Sequence, residues 1–90
     1  MKEVEILKLD VRGLNHPKPL ERSVEMFKKL NSFNCMHLHI HRYPKPLLII
    51  AEKQGIRFYA YETDKREWHI LFTKNPELDL NEMLQELCSV

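Results

Sequence analysis

The segment spanning residues 9–20 constrains the fold more than any other part of the chain, because a strand pattern, a glycine and two closely spaced prolines follow one another there. Apolar and charged side chains alternate up to Val11, which is the two-residue period of a half-buried strand. Gly13 permits the sharp turn that follows, and the prolines suit the first turn of a helix, where a missing N–H costs little. The sequence therefore predicts a strand, a turn and a helix that meet at an exposed His16.

The rest of the chain indicates three further strands and two further helices. Residues 35–41 alternate in polarity, and Thr63 to Arg66 suit the turn of a hairpin. Asp79 and Glu82 resemble a capping box at the start of the last helix. We expect strands at about 5–11, 35–41, 56–62 and 67–73, and helices at about 18–30, between Pro44 and Gly55, and at about 76–88.

This order of elements predicts one domain over residues 1–90, an α/β (α+β) two-layer sandwich. In the β-α-β-α-β-β unit, both helices cover one face of a four-stranded mixed sheet. The C-terminal helix carries an apolar stripe, and short helices draw most of their stability from a packed face. We therefore expect this helix to cover part of the open sheet face, and docking to a partner is the alternative.

The charges are nearly balanced, with 14 basic and 13 acidic residues and a formal charge of +1. The two signs are interspersed, so a nucleic-acid surface is not indicated. No apolar run approaches the roughly 20 residues that cross a bilayer, and the first residues lack the features of a signal peptide. We expect a cytoplasmic protein that binds neither nucleic acid nor membrane.

The junction at residues 9–20 resembles the signature of the small sulfur-carrier proteins of the TusA/SirA family. That signature reads Leu-Asp, two residues, Gly-Leu, one residue, Cys-Pro-x-Pro-Leu, and His16 stands where the family has its cysteine. An imidazole has no sulfur with which to hold a persulfide, so the family's nucleophilic relay does not carry over to this position. The matching residues are Leu9, Asp10, Gly13, Leu14, Pro17, Pro19 and Leu20.

A related family that also lacks the cysteine resembles this chain more closely, over about residues 5–74. Its members read Gly-Leu-x-x-Pro-x-Pro-Leu, then a strand rich in Asp and His that ends in a second Pro-x-Pro-Leu, then a tryptophan. The resemblance implies a TusA-like fold. Because such relatives often accompany hemerythrin-like domains, it also implies a redox or metal-related context. The matching residues in the second half are His39, His41, Pro44, Lys45, Pro46, Leu47, Gly55 and Trp68.

The histidines of the second strand form a candidate metal site. His37, His39 and His41 have the same parity, so their side chains share one face with neighbours about 6–7 Å apart. Imidazole ligands favour zinc, copper, nickel or iron, and heme is a further possibility. Another ligand would have to come from His69, from a tyrosine of the third strand or from His16. Histidines that only face solvent are the alternative.

Two other groups of residues are candidates for binding. His16 with Arg12 and Lys18 suits an anion at a helix amino terminus, unless His16 only fills the turn and caps the helix. Tyr59 and Tyr61 alternate with apolar residues and should lie on the open sheet face. They suit a protein partner, a planar ligand or the C-terminal helix packed above them.

No catalytic set is complete, so we expect a small non-enzymatic binding or accessory module. A protein partner is expected, with the chain a monomer or a homodimer built through the open sheet face. The principal alternative is a sulfur-carrier or redox protein that uses Cys35 or Cys88. These cysteines lie far apart with no Cys-x-x-Cys spacing, which favours buried or inert thiols.

Overall fold

The computed structural model describes residues 4–88, which form a four-stranded sheet with helices on both faces. The predicted order of elements is confirmed. None of the helices between residues 4 and 88 is long and apolar enough to cross a membrane. The elements are β1 (Glu5–Asp10), α1 (Lys18–Phe27), β2 (Asn34–Ile40), α2 (Lys45–Lys53), β3 (Arg57–Glu62), β4 (Trp68–Thr73) and α3 (Leu80–Cys88).

The boundaries differ from the predicted ones by one or two residues, except at the end of α1 and at the start of α3, which begins at Leu80 and not at about residue 76. The helix α1 ends at Phe27 and not at about residue 30. The N–H groups of residues 28–30 bond to carbonyls three residues back, at 2.9–3.2 Å, which tightens the last turn. Leu30 is nevertheless buried, so the apolar periodicity extends one turn past the helix.

The strands lie in the order β1-β2-β4-β3, which confirms a mixed sheet. β1 is parallel to β2, and β4 is antiparallel to both of its neighbours. This register places Asp10, His39, His69 and Tyr61 in one row across all four strands, on a single face. Residues distant in sequence therefore become neighbours on the sheet.

The main hydrophobic core lies between the sheet and the helices α1 and α2, as predicted. Phe27 of α1 packs on Phe72 of β4 with ring centroids 5.0 Å apart. Leu47 and Ala51 of α2 are fully or almost fully buried against the same face of the sheet. Removal of this apolar surface from water is the main favourable term in folding.

The helix α3 packs on the opposite face of the sheet, as expected for self-packing. Leu80 and Leu84 are buried there with Cys35 and Leu71. The N-terminal cap predicted for this helix is present, since the N–H of Glu82 donates to Asp79 Oδ1 at 3.1 Å. The helix covers one end of the open face and leaves the other end free.

Two glycines are required by the turns at which they stand. Gly13 follows β1 with a φ of +83°, and Gly55 follows α2 with a φ of +73°. Both values lie in the left-handed region that glycine adopts without steric cost. These two turns set the direction in which the chain leaves β1 and α2.

Candidate functional site

A pocket of about 390 Å³ opens beyond the carboxyl ends of β1 and β2, where α1 and α2 both begin. Its position follows from the topology, because parallel neighbours end at the same edge of a sheet and each of them leads into a helix. The volume is typical of small-molecule sites, which span about 300–1,000 Å³. The lining consists of Leu14, Asn15, His16, Pro19, Leu20, Ile40, His41, Arg42, Pro44, Pro46 and Leu47.

The pocket combines apolar walls with a polar rim made by His16, His41 and Arg42. These three rim side chains are exposed, and none of them forms a hydrogen bond or ion pair within residues 4–88. Both helices start at a proline N-cap without a side-chain cap, so the partial positive charge of each amino terminus faces the pocket end of the sheet. The arrangement favours an anionic group.

The structure does not bring Arg12 and Lys18 into the lining of this pocket. Arg12 Nη2 donates to Asp10 Oδ2 at 2.7 Å, and Arg12 Nη1 lies 3.4 Å from Glu67 Oε1. The hydrogen bonds from Arg12 hold the pKa of the Asp10 carboxyl well below its usual value. Lys18 is the first residue of α1 and is exposed. Arg12 therefore braces the turn after β1 through its bonds to Asp10.

His41 and Arg42 are the pocket residues that the anion-site prediction missed. They stand three and two residues before Pro44, and Asn15 and His16 stand two residues and one residue before Pro17. The repeated Pro-x-Pro-Leu pattern was the available signal, because two similar helix starts after two parallel strands converge at one edge. Only the strand order shows that they do so.

A second cluster of polar side chains lies on the open face of the sheet. His37 Nε2 is 2.9 Å from His69 Nδ1, and the ring of His39 stacks on that of His69 with centroids 4.0 Å apart. His39 Nε2 in turn lies 3.0 Å from Glu67 Oε1. Burial, followed by the neighbouring His69, lowers the pKa of His37 to about 4, and burial also lowers the pKa of His69. Both imidazoles are therefore neutral near pH 7.

The prediction that His41 shares this face with His37 and His39 is wrong, because β2 ends at Ile40 and His41 turns into the pocket. The register brings His69 opposite His39 instead. Within the part of the chain that the structure describes, no group of three or more His, Cys, Asp or Glu side chains is arranged to hold a metal ion. The three-histidine strand site is therefore not assembled.

Glu67 is a member of the open-face cluster that the sequence did not single out. It bonds to His39 and lies near Arg12, and the hydrogen bond from His39 is the main reason that the pKa of its carboxyl is lowered. Its parity with His69, two residues further on, would have placed it on the same face.

Tyr59 and Tyr61 are on the open face, as predicted from their parity. Their side chains are 38% and 47% exposed, so α3 does not bury them. Tyr61 lies opposite His69 in the register. The uncovered surface is therefore both aromatic and imidazole-rich.

Cys35 is exposed neither in the pocket nor on the open face of the sheet. Cys35 is fully buried beneath α3, and burial raises the pKa of its thiol to about 11. A buried thiol with a raised pKa is a poor nucleophile. Cys88 ends α3, and its side chain lies outside the described residues.

The chain has a SirA-like fold. It is similar to the crystal structure of a SirA-like protein from Desulfitobacterium hafniense, with a TM-score of 0.68 and 17% identity over 77% of this chain and 97% of that chain. The chain belongs to the family described as uncharacterized conserved protein (DUF2249), whose model matches residues 8–74. The helix α3 lies beyond the matched range. No curated protein matches the sequence.

Proposed function

We propose that this protein is a small SirA-like accessory module that binds a ligand without transforming it, and that the pocket beyond β1 and β2 is its binding site. The observation that carries the proposal is the unpaired rim of His16, His41 and Arg42 around an apolar cavity. No lining residue is a cysteine, so none of them can hold a persulfide.

The chemistry of the pocket favours a ligand with an apolar body and an anionic end. Arg42 is permanently charged and can pair with a carboxylate or a similar group. The walls formed by Ile40 and Leu47 are apolar, and an ion pair is stronger beside apolar walls than in bulk water. The imidazole nitrogens of His16 and His41 at the rim can add hydrogen bonds to the ligand.

Hexanoate is a suitable probe because it combines a carboxylate with a short apolar chain. We expect an NMR titration with hexanoate to shift the amide signals of Leu20 and Leu47 and the ring signals of His16 and His41. The substitution Arg42→Gln should weaken binding at least about fivefold, which corresponds to roughly 1 kcal/mol. Lys18→Gln, which replaces a cation outside the lining, should change the affinity less than about twofold.

Hexanamide serves as the uncharged control ligand. If hexanamide binds as tightly as hexanoate, the anionic part of the proposal fails. If neither probe perturbs the pocket signals, or if Lys18→Gln matters as much as Arg42→Gln, the pocket is not the site.

An accessory role also implies a protein partner, and we assign the exposed Tyr59 and Tyr61 to its contact surface. Tyrosine is enriched in interfaces because it offers a large apolar area with a polar tip. The proposed setting is cytoplasmic and related to redox or metal chemistry. Light scattering of the purified chain will show whether it is a monomer or a homodimer, and Tyr61→Ala should abolish a dimer built through this face.

A thiol-based role remains the rival function. It would require Cys35 to become accessible or Cys88 to act, since position 16 holds no sulfur. Mass spectrometry after a persulfide challenge tests this rival. Persulfide on Cys88 in the folded protein would support it, and the absence of any adduct would remove it.

A further inference from the structure

The two histidines at the rim of the pocket differ from those of the open face, because neither of them has a partner. His16 precedes α1, and His41 directly follows the last residue of β2. Both side chains are exposed, and neither makes a hydrogen bond or an ion pair in the part of the chain that the structure describes. By contrast, His39 on the open face already bonds to Glu67. The two rim imidazoles therefore have their ring nitrogens available to a ligand.

No carboxylate among residues 4–88 lines the pocket, so the charged or titratable groups of its lining are His16, His41 and Arg42 alone. The first turns of α1 and α2 contribute only proline and apolar side chains to the lining. A bound anion would therefore be the first negatively charged partner of the two imidazoles. The other charged residues of the adjoining segments are exposed and lie outside the lining: Asp10, Arg12, Lys18, Glu21 and Lys45.

An anion beside an imidazole favours the protonated form of that imidazole, because opposite charges attract. The protonated ring donates from both nitrogens, and a hydrogen bond that involves a charged group is about twice as strong as one between neutral groups. If a ligand promotes the binding of a proton, the proton promotes the binding of the ligand by the same factor. Histidine is the side chain whose charge ordinarily changes between about pH 5 and pH 8. Binding of an anion at this rim is therefore coupled to pH in that range.

We propose that the pocket binds its anionic ligand together with protons on His16 and His41, so that the ligand is taken up at mildly acidic pH and released as the pH rises. This proton linkage rests on the proposed function, because it concerns the regulation of the same pocket. The protons come from the solvent and return to it when the ligand leaves. Arg42 stays charged over the whole range and supplies the affinity that remains at higher pH.

Hexane-1-sulfonate is the probe for the linkage, because a sulfonate stays ionised throughout the test, whereas a carboxylate itself takes up a proton in more acidic solution. We expect its affinity, followed through the amide NMR signals of Leu20 and Leu47, to be at least about fivefold higher at pH 6 than at pH 8. Calorimetric titration in two buffers of different ionisation enthalpy should show uptake of protons on binding. Both measurements use the unmodified chain.

Three variants separate the two histidines from the fixed charge. The double variant His16→Gln/His41→Gln keeps polar side chains at the rim but removes both titrating groups, so the ratio of the affinities at pH 6 and pH 8 should fall below about twofold. Arg42→Gln should weaken binding at both pH values and preserve the ratio. His37→Gln on the open face is the matched control and should also preserve it. Circular dichroism and urea denaturation show whether each variant folds.

The possible failures of the two proposals are distinguishable. If the natural chain binds hexane-1-sulfonate equally well at pH 6 and pH 8 without proton uptake, the linkage is overturned and the proposed binding function stands. A pH dependence that persists in the double histidine variant also overturns the linkage. If the probe binds at neither pH, the pocket is not the site and both proposals fail.

Discussion

At the residue scale, position 16 is where this chain departs from the sulfur-carrier signature that it resembles. His16 precedes α1 at the edge where the resemblance places a cysteine, and it lines the pocket with its side chain unpaired. An imidazole can donate or accept a hydrogen bond but cannot store sulfur. Residue 16 can therefore take part in binding through hydrogen bonds, but it cannot carry a persulfide.

Cys35 shows how burial makes a thiol unreactive. Its pKa is raised from 9.0 to about 11, because the thiolate would be buried beneath α3. The folded state therefore holds this thiol protonated more firmly than the unfolded state does. The stabilising contribution is complete below pH 9 and is lost as the pH rises towards 11.

We therefore predict that the free energy of unfolding falls by about 1–2 kcal/mol between pH 8 and pH 11 because of Cys35 alone. The measurement is urea denaturation at both pH values, for the natural chain and for Cys35→Ala. Tyrosines and lysines titrate in both proteins, so the difference between them isolates the thiol. Equal pH dependence in the two proteins would contradict the prediction.

At the scale of elements, α3 is the feature that distinguishes the two ends of the open face. It seals the end that contains Cys35 and Leu71, whereas the histidine cluster at the other end stays accessible. Its packing follows from the apolar stripe that the sequence showed. Which end it covers depends on the length and path of residues 74–79 after β4, and periodicity carries no information about that path.

The contribution of α3 is measurable through Leu84, which is 1% exposed. We predict that Leu84→Ala lowers the free energy of unfolding by about 2–4 kcal/mol, because it leaves a cavity in the cluster beneath the helix. It should also speed the alkylation of Cys35 under native conditions. The matched control is Leu87→Ala on the same helix, which is 38% exposed and should cost less than about 1 kcal/mol. Equal losses in the two variants would mean that α3 is not docked as described.

The elements themselves were largely predictable, and the partners of their side chains were not. Alternation along β2 assigned His37 and His39 to one face, since parity is a local property. The same alternation failed for His41, because β2 ends at Ile40. A strand ends where its backbone hydrogen bonds to the neighbouring strand end, so its length depends on that neighbour and not on local sequence alone. Likewise, nothing local indicated that Glu67 would bond to His39.

At the scale of the whole molecule, the sheet separates the pocket from the histidine cluster of the open face. The pocket lies at the carboxyl edge between the helices and β1–β2, and the hydrogen-bonded His37–His69 pair lies on the opposite, open face. The pocket and the pair share no residue, and the main core lies between the sheet and the helices. Effects at distant, independent sites are usually additive.

We therefore predict that a change in the open-face cluster does not alter binding in the pocket. His37→Gln should leave the affinity for hexanoate within about twofold. Titration of this variant and of the natural chain with hexanoate checks this. A change of more than about fivefold would show that one arrangement of the sheet governs both places.

The sequence by itself determined the strand and helix periods, the glycine turns after β1 and α2, and the absence of sulfur at position 16, because each of these depends on neighbouring residues alone. Only the tertiary structure decided that two helix starts share one pocket, that His69 meets His37 while His41 does not, and that α3 covers one end of the open face. These features arise from strand order and register, which are set by burial of apolar surface across the whole sheet and not by any single segment.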